Sequence, residues 1–261
     1  MSSLDTMMRS FGVLRRDKQL VLFPVLSTVA AILVSVPFIL AIFIHGVPER
    51  WDVSHLVITL AWYCCANSAM VFFNCALAAS AQTFFEGGEP SLGQGISAAA
   101  GHIPGILAWS MVSTTVGMIL RWVDERAGIV GRIVTALIGI GWNMATYLIV
   151  PVLVLEDRGV LESIRRSGEL LKKTWGEQLI GGIAFGWFGL LFAIPGIVLG
   201  VIGVNVFPPL IAVAVLYFLT LFACFSAARQ IFTVALYRYA TTGEAPSGYT
   251  ADGMRGAIHP R

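Results

Sequence analysis

The sequence predicts an all-α fold: a polytopic membrane bundle of six transmembrane helices, with amphipathic helices on its cytoplasmic surface. Three observations predict it. Of 261 residues, 57% are hydrophobic and only 12% charged, where a soluble domain carries roughly 25% charged residues. Six stretches reach the roughly 20 apolar residues needed to cross a hydrocarbon core. Charged residues gather between those stretches. Runs of this length exceed barrel strands, and a helix satisfies its own backbone groups in lipid.

The first span, about 21–44, follows Arg9, Arg15, Arg16 and Lys18 and precedes "HGVPERW". No small-x-small cleavage site follows it, so it reads as a first transmembrane helix rather than a removable leader. The second, about 56–83, ends at a glycine turn, "FFEGGEPSLG". The third, about 103–121, carries Ser110, Ser113, Thr114 and Thr115. The fourth covers about 131–154, the fifth 179–204 and the sixth 209–236, with a short flexible tail expected over 241–261.

Lysine and arginine placement sets the orientation. With the N-terminus cytoplasmic, the inner segments hold Arg9, Arg15, Arg16, Lys18, Arg158, Arg165, Arg166, Lys172, Lys173, Arg238, Arg255 and Arg261. The outer loops hold Arg50, Arg121, Arg126 and Arg132. Both termini are therefore expected on the cytoplasmic side, although the 121–132 connection runs against the trend. The net charge of +2 gives no electrostatic footprint for nucleic acid.

The most charged segment, "EDRGVLESIRRSGELLKKTWGEQ", then falls in the inner loop between the fourth and fifth spans. Val160, Leu161, Ile164, Leu170, Leu171 and Trp175 recur at helical spacing, with Glu162, Arg165, Arg166, Glu169, Lys172 and Lys173 opposite. Glu162–Arg166 and Glu169–Lys173 form i,i+4 pairs in the favourable order. The segment reads as a helix in the interface plane, with Trp175 at headgroup depth. Arg165, Arg166, Lys172, Lys173 and Trp175 are the candidate surface for lipid or a protein partner.

The two inner loops also match at an offset of 68 residues. Leu92 aligns with Val160, Ile96 with Ile164 and Ile103 with Leu171; Gly95 and Ala99 align with Ser163 and Ser167. After the sixth span, "ATTGEAPSGYT" echoes "FEGGEPSLG". The pattern suggests inward helix, surface helix and outward helix used twice and begun a third time, as parallel repeats about an axis near the membrane normal.

The fifth span carries small residues at Gly182, Gly186, Gly189, Ala193, Gly196, Gly200 and Gly203, in alternating steps of four and three. Close backbone approach drives helix packing in lipid, so a neighbour is expected along this seam in a shallow left-handed crossing. That neighbour lies either within the protomer or in a homo-oligomer. Pro195 is expected to kink the helix.

The sequence points to no catalytic residue, no cofactor and no metal. It lacks HExxH, GxSxG and GxxxxGK motifs. His45, His55, His102 and His259 stand apart. Cys64, Cys65, Cys75 and Cys224 lie inside spans, where cysteine behaves as a small apolar residue. The acids all fall outside the predicted hydrocarbon region, whereas proton-coupled transporters need an ionisable group within it. Neutral polarity remains. Asn67, Asn74, Asn143 and Tyr147 are either interhelical hydrogen-bonding groups or the lining of a polar cavity.

"RDKQLVLFPVLS", "PVLVLEDRGVLESIRRSGELLKKTWGEQL" and "ALYRYATTGEAP" resemble an uncharacterised family of bacterial and archaeal six-helix membrane proteins, named only as a domain of unknown function. The Ser163-Ile164-Arg165-Arg166-Ser167 pattern with Trp175 is similar, more distantly, to the membrane domain attached to some glycerophosphodiester phosphodiesterases. Their hydrolase domain is absent, so the likeness implies fold and a bacterial inner-membrane location without activity. The expected role is that of a scaffold or lipid-contacting component whose partners are membrane lipids. The alternative is passive transport of a small neutral or lipid-like solute.

Overall fold

In the computed structural model the described residues are 3–45, 52–175, 184–205, 207–246 and 249, with side-chain surroundings described from Ser10 onward except at 45, 56, 175 and 184–191. The chain forms α1 (Ser3–Arg16), a 3-10 turn (Lys18–Val21), α2 (Leu22–His45), α3 (Val53–Phe85), α4 (Leu92–Gly101) and α5 (Ile103–Arg126). It continues through α6 (Ile129–Ala145), α7 (Ile149–Leu155), α8 (Val160–Trp175), α9 (Ala184–Asn205) and α10 (Pro209–Thr242). No strand occurs among the described residues.

Five helical stretches are long and apolar enough to cross a membrane: Lys18–Ile44, Val53–Phe85, Ile103–Arg126, Ile129–Leu155 and Pro209–Thr242. The sixth expected span falls on α9. Its described apolar part, Phe192–Asn205, is shorter than a span, and 179–183 lie outside the described residues. α9 continues through Pro195 without a break.

The fourth expected span is interrupted. Residues 146–148 form a turn between α6 and α7. Pro151 has no N–H to offer the Tyr147 carbonyl, and its ring clashes there in a continuous helix. The chain restarts at Ile149, which places Pro151 in the first turn, where a missing N–H costs nothing. Tyr147 N and Ile149 N bond three residues back, to the Met144 and Thr146 carbonyls. Leu148 N instead donates to Ser167 Oγ at 3.0 Å, 19 residues away on α8.

The chain leaves α3, α7 and α10 through left-handed backbone, supplied in two ways. Gly87 after α3 and Gly243 after α10 have φ of 84° and 78°, a region glycine enters without steric cost. After α7 it is Asp157, φ 47°, that takes this role rather than Gly159, since a short polar side chain tolerates the conformation.

The aligned residues of the two loop segments, on α4 and α8, occupy matching places. Gly95, Ala99, Ser163 and Ser167 are all buried against the bundle. A Cβ on Gly95 would lie 2.6 Å from the Ala76 carbonyl oxygen and 2.8 Å from the Phe23 ring, so α4 rests directly on α3. A third surface helix, α1, precedes α2. Its Arg9-Ser10-Phe11-Gly12-Val13-Leu14-Arg15-Arg16 matches Arg166-Ser167-Gly168-Glu169-Leu170-Leu171-Lys172-Lys173. Ser10, Val13 and Leu14 are buried, as are Ser167, Leu170 and Leu171. α1 packs on α10, so the third unit is completed by the chain's own beginning.

That closure changes the expected tail. Tyr249 is buried, stacks edge-on against Phe85 at 6.0 Å and shares a 2.7 Å hydrogen bond with Ser10. The tail therefore begins as packed structure; residues 250–261 lie outside the described set.

Candidate functional site

The charged segment folds as α8, but its expected internal pairs give way to others. Glu156, just past α7, has only 12% of its side chain exposed. Its Oε2 accepts from Arg158 Nε at 2.6 Å, both its oxygens accept from Arg166 Nε at 3.1–3.2 Å, and Oε1 accepts from the Tyr237 hydroxyl at 3.1 Å. Arg166 thus pairs with Glu156 rather than Glu162. Water screens a sheltered carboxylate less than an exposed one, so its partners are held more strongly. Glu169 pairs with Arg165 at 2.9 Å, and no Glu169–Lys173 pair forms among the described residues. Leu161, expected on the apolar side, is 79% exposed, because Ser163 and Ser167 are small enough to bring α8 down on their own face.

Of the candidate surface residues, Arg165, Lys172 and Lys173 are exposed and Arg166 is partly buried in the Glu156 cluster. The surroundings of the Trp175 side chain are outside the described set. Next to the cluster, His102 Nε2 stands 3.5 Å from Asp157, which joins the α4–α5 corner to the segment before α8.

Asn67, Asn74, Asn143 and Tyr147 do not share one cavity. Asn67 donates to the Ser110 carbonyl, Ser113 Oγ and Thr114 Oγ1 at 3.3, 2.8 and 3.2 Å, which fastens α3 to α5. Asn143 is exposed on α6, where successive helical positions turn it away from the packed face. Tyr147 faces Thr233 and Arg229 of α10. Only Asn74 lines the groove of about 430 Å³ between α2, α3 and α10. The groove's other polar lining, Ser27, Thr28 and Ser35 on α2 and Ser226 on α10, was not among the residues the sequence singled out. The available signal was the set of hydroxyl residues Ser27, Thr28 and Ser35 on an otherwise apolar α2.

The seam on α9 faces α10 where it is described. A Cβ on Gly196 would meet the Phe218 and Tyr217 rings at 2.7 and 2.8 Å, and one on Gly203 would meet Ile211 N at 2.8 Å. At Gly200 the nearest atom, Ala214 Cβ, is 3.9 Å away. Gly186 and Gly189 belong to α9 but their surroundings, and Gly182 itself, lie outside the described residues.

Among the described residues no group of three His, Cys, Asp or Glu side chains is placed to hold a metal ion, and the four cysteines are free thiols. The fold and this interhelical chemistry define an all-α protein with five helices long and apolar enough to cross a membrane, clasped at one end by a charged cluster. The chain belongs to the family of unknown function DUF6159, whose sequence model matches residues 53–248. No curated protein and no solved structure matches the chain, and nothing found supports the likeness to glycerophosphodiester phosphodiesterases.

Proposed function

We propose that this is a non-catalytic integral membrane protein of the bacterial cytoplasmic membrane, a scaffold or lipid-contacting component with six spans and both termini on the cytoplasmic side. The observation that carries the reading is where apolar side chains remain uncovered. Phe43, Ile44, Ile129, Val130 and Leu216 are 86%, 71%, 82%, 76% and 65% exposed. Apolar area on this scale is stable only against lipid or another apolar surface. Ser10 and Tyr249 meet, which supports a shared side for the two termini. On this reading Arg165, Lys172 and Lys173 face anionic headgroups, each basic residue near such a surface adding about 1 kcal/mol.

Of its four expected residues the passive-transport reading keeps only Asn74 in the groove, since Asn67 is engaged by α5. The test is topological. With the four native cysteines replaced, Lys172→Cys is expected to resist an impermeant thiol reagent in intact cells and to react once the membrane is opened. Labelling in intact cells would reverse the orientation. Recovery of the protein in the soluble fraction would end the membrane reading.

A further inference from the structure

The groove between α2, α3 and α10 has a polar end and an apolar length. Its polar end is formed by Ser27, Asn74 and Ser226, one from each helix. Ser27 is 8% exposed, so its side chain is more than nine-tenths covered. Thr28 and Ser35 spend their hydroxyls on the Pro24 and Ala31 carbonyls. Ser27, Asn74 and Ser226 make no hydrogen bond with any described residue, although three helices bring them to one concavity. Buried polar groups are normally paired. Ser27, buried, and Asn74 and Ser226, partly buried, instead present two hydroxyls and a carboxamide to the groove.

The depth of that end follows from packing. Phe23 meets the surface helix α4 at Gly95, beside Ala76. Ser27 is one turn further along α2, and Asn74 lies at the corresponding level of α3. The polar trio therefore sits about one helical turn, ~5 Å, beyond the layer of surface helices. From there the groove runs away from that layer between Ala31, Ile32, Met70 and Phe222. Ile39 and Trp62 bound its far end, where Trp62 Nε1 donates to Ser35 Oγ at 3.0 Å and the Trp62 ring lies 6.1 Å from Phe38. Ser27 to Ile39 and Asn74 to Trp62 each cover twelve residues, about 18 Å of helix. Half of a hydrocarbon core is about 15 Å. The groove is thus about one leaflet long, starts near the depth where headgroup gives way to chain, and is open along its side, since Ile32, Ile39 and Phe222 are more than half exposed.

We propose that this groove holds one acyl chain of an ester-linked membrane lipid, with the ester carbonyl accepting from Asn74 Nδ2 and from the hydroxyl of Ser27 or Ser226. This rests on the membrane reading above and adds a specific site to it. An ester carbonyl is an acceptor without a proton to give. It suits a site whose three polar groups all have donors to offer. An ether-linked chain of the same length fills the apolar part equally but lacks the carbonyl, and offers the donors only a weaker ether oxygen.

The test uses the intact protein in nanodiscs containing a diacyl phosphatidylglycerol with a photoactivatable group in its chain, then the matched dialkyl ether lipid. Crosslinks mapped by peptide mass spectrometry are expected to concentrate on α2, α3 and α10 at Ile32, Met70 and Phe222. The ester lipid should be retained through delipidation about five-fold better than the ether, the difference one or two hydrogen bonds confer. Asn74→Leu should erase that preference, and Ala31→Trp should abolish crosslinking in the groove. The ester–ether comparison on the unmodified protein stands even where a variant does not fold. Even labelling of the exposed faces of α2, α3, α5 and α6 would overturn the site and leave the membrane reading intact, whereas no crosslink on any helix would overturn both. Equal retention of the two lipids, or a non-lipid molecule recovered from the groove, would likewise overturn it.

Discussion

The Tyr237 hydroxyl donates to Glu156 Oε1 at 3.1 Å, joining residues 81 positions apart on α10 and at the end of α7. The other contacts of that carboxylate, Arg158 and Arg166, bring in the loop and α8. One partly buried acid therefore ties three elements together at the surface-helix end. Removing one member of such a cluster leaves the others desolvated and unpaired, which costs more than the pair itself contributes.

Glu156→Gln is expected to lower the stability of the detergent-solubilised protein by about 1–3 kcal/mol, between the values for an exposed and a fully buried pair because Arg158 is partly exposed. Tyr237→Phe should cost about 1–2 kcal/mol. Thermal melting of each variant and of the double variant measures this. Strictly additive effects would show that the two side chains do not act together.

Ser167 caps the only amide that the Pro151 break leaves inside the fold without a helical carbonyl among the described turn residues 146–149. Ser167→Ala should cost about 1 kcal/mol and speed hydrogen exchange at the Leu148 amide specifically. An unchanged Leu148 exchange rate would place that cap elsewhere.

The α9–α10 contact predicts a graded glycine series. Gly196→Leu and Gly203→Leu should each lower the melting temperature clearly, since even a Cβ meets atoms below 3 Å there; overpacking of this kind costs about 1–3 kcal/mol. Gly200→Ala, with its neighbour at 3.9 Å, and the 54%-exposed Ile197→Leu should stay close to the parent. Melting curves that fail to separate the two groups would place the packed face of α9 elsewhere.

Asp52 caps the start of α3. Hydrogen bonds from the Ser54 hydroxyl and then the His55 backbone N–H hold its carboxyl down at about 2, from an ordinary 3.8. Because the folded value is depressed, the cap's contribution is fully present above about 3.8 and is lost as pH falls through about 2. Side-chain NMR of Asp52 should show that titration, and Ser54→Ala should move it upward. A midpoint near 3.8 in the parent would mean that the cap is not formed.

The sequence alone determined what depends on composition and local periodicity. Long apolar runs specify long helices whatever they pack against, because a backbone away from water must bond to itself. The alternating apolar and charged spacing located α8, whose first apolar position Val160 is also its first residue, since one face of a helix repeats every 3.6 residues. Small residues at a four-three step marked a packing face on α9. The tertiary structure decided everything that depends on which partner is nearest. Glu162 and Glu156 are equally charged in the sequence, but only Glu156 is sheltered at the meeting of α7, α8 and α10, so Arg166 turns to it. Asn67 and Asn74 share a face of α3, yet α5 consumes the first and the groove receives the second. Ser10 and Tyr249 stand at opposite ends of the sequence, and no local pattern relates them. They meet because α1 settles on α10, burying Val13 and Leu14, and completes the third unit; the likeness of residues 9–16 to 166–173 marks α1 as a surface helix but does not say which helix it packs on.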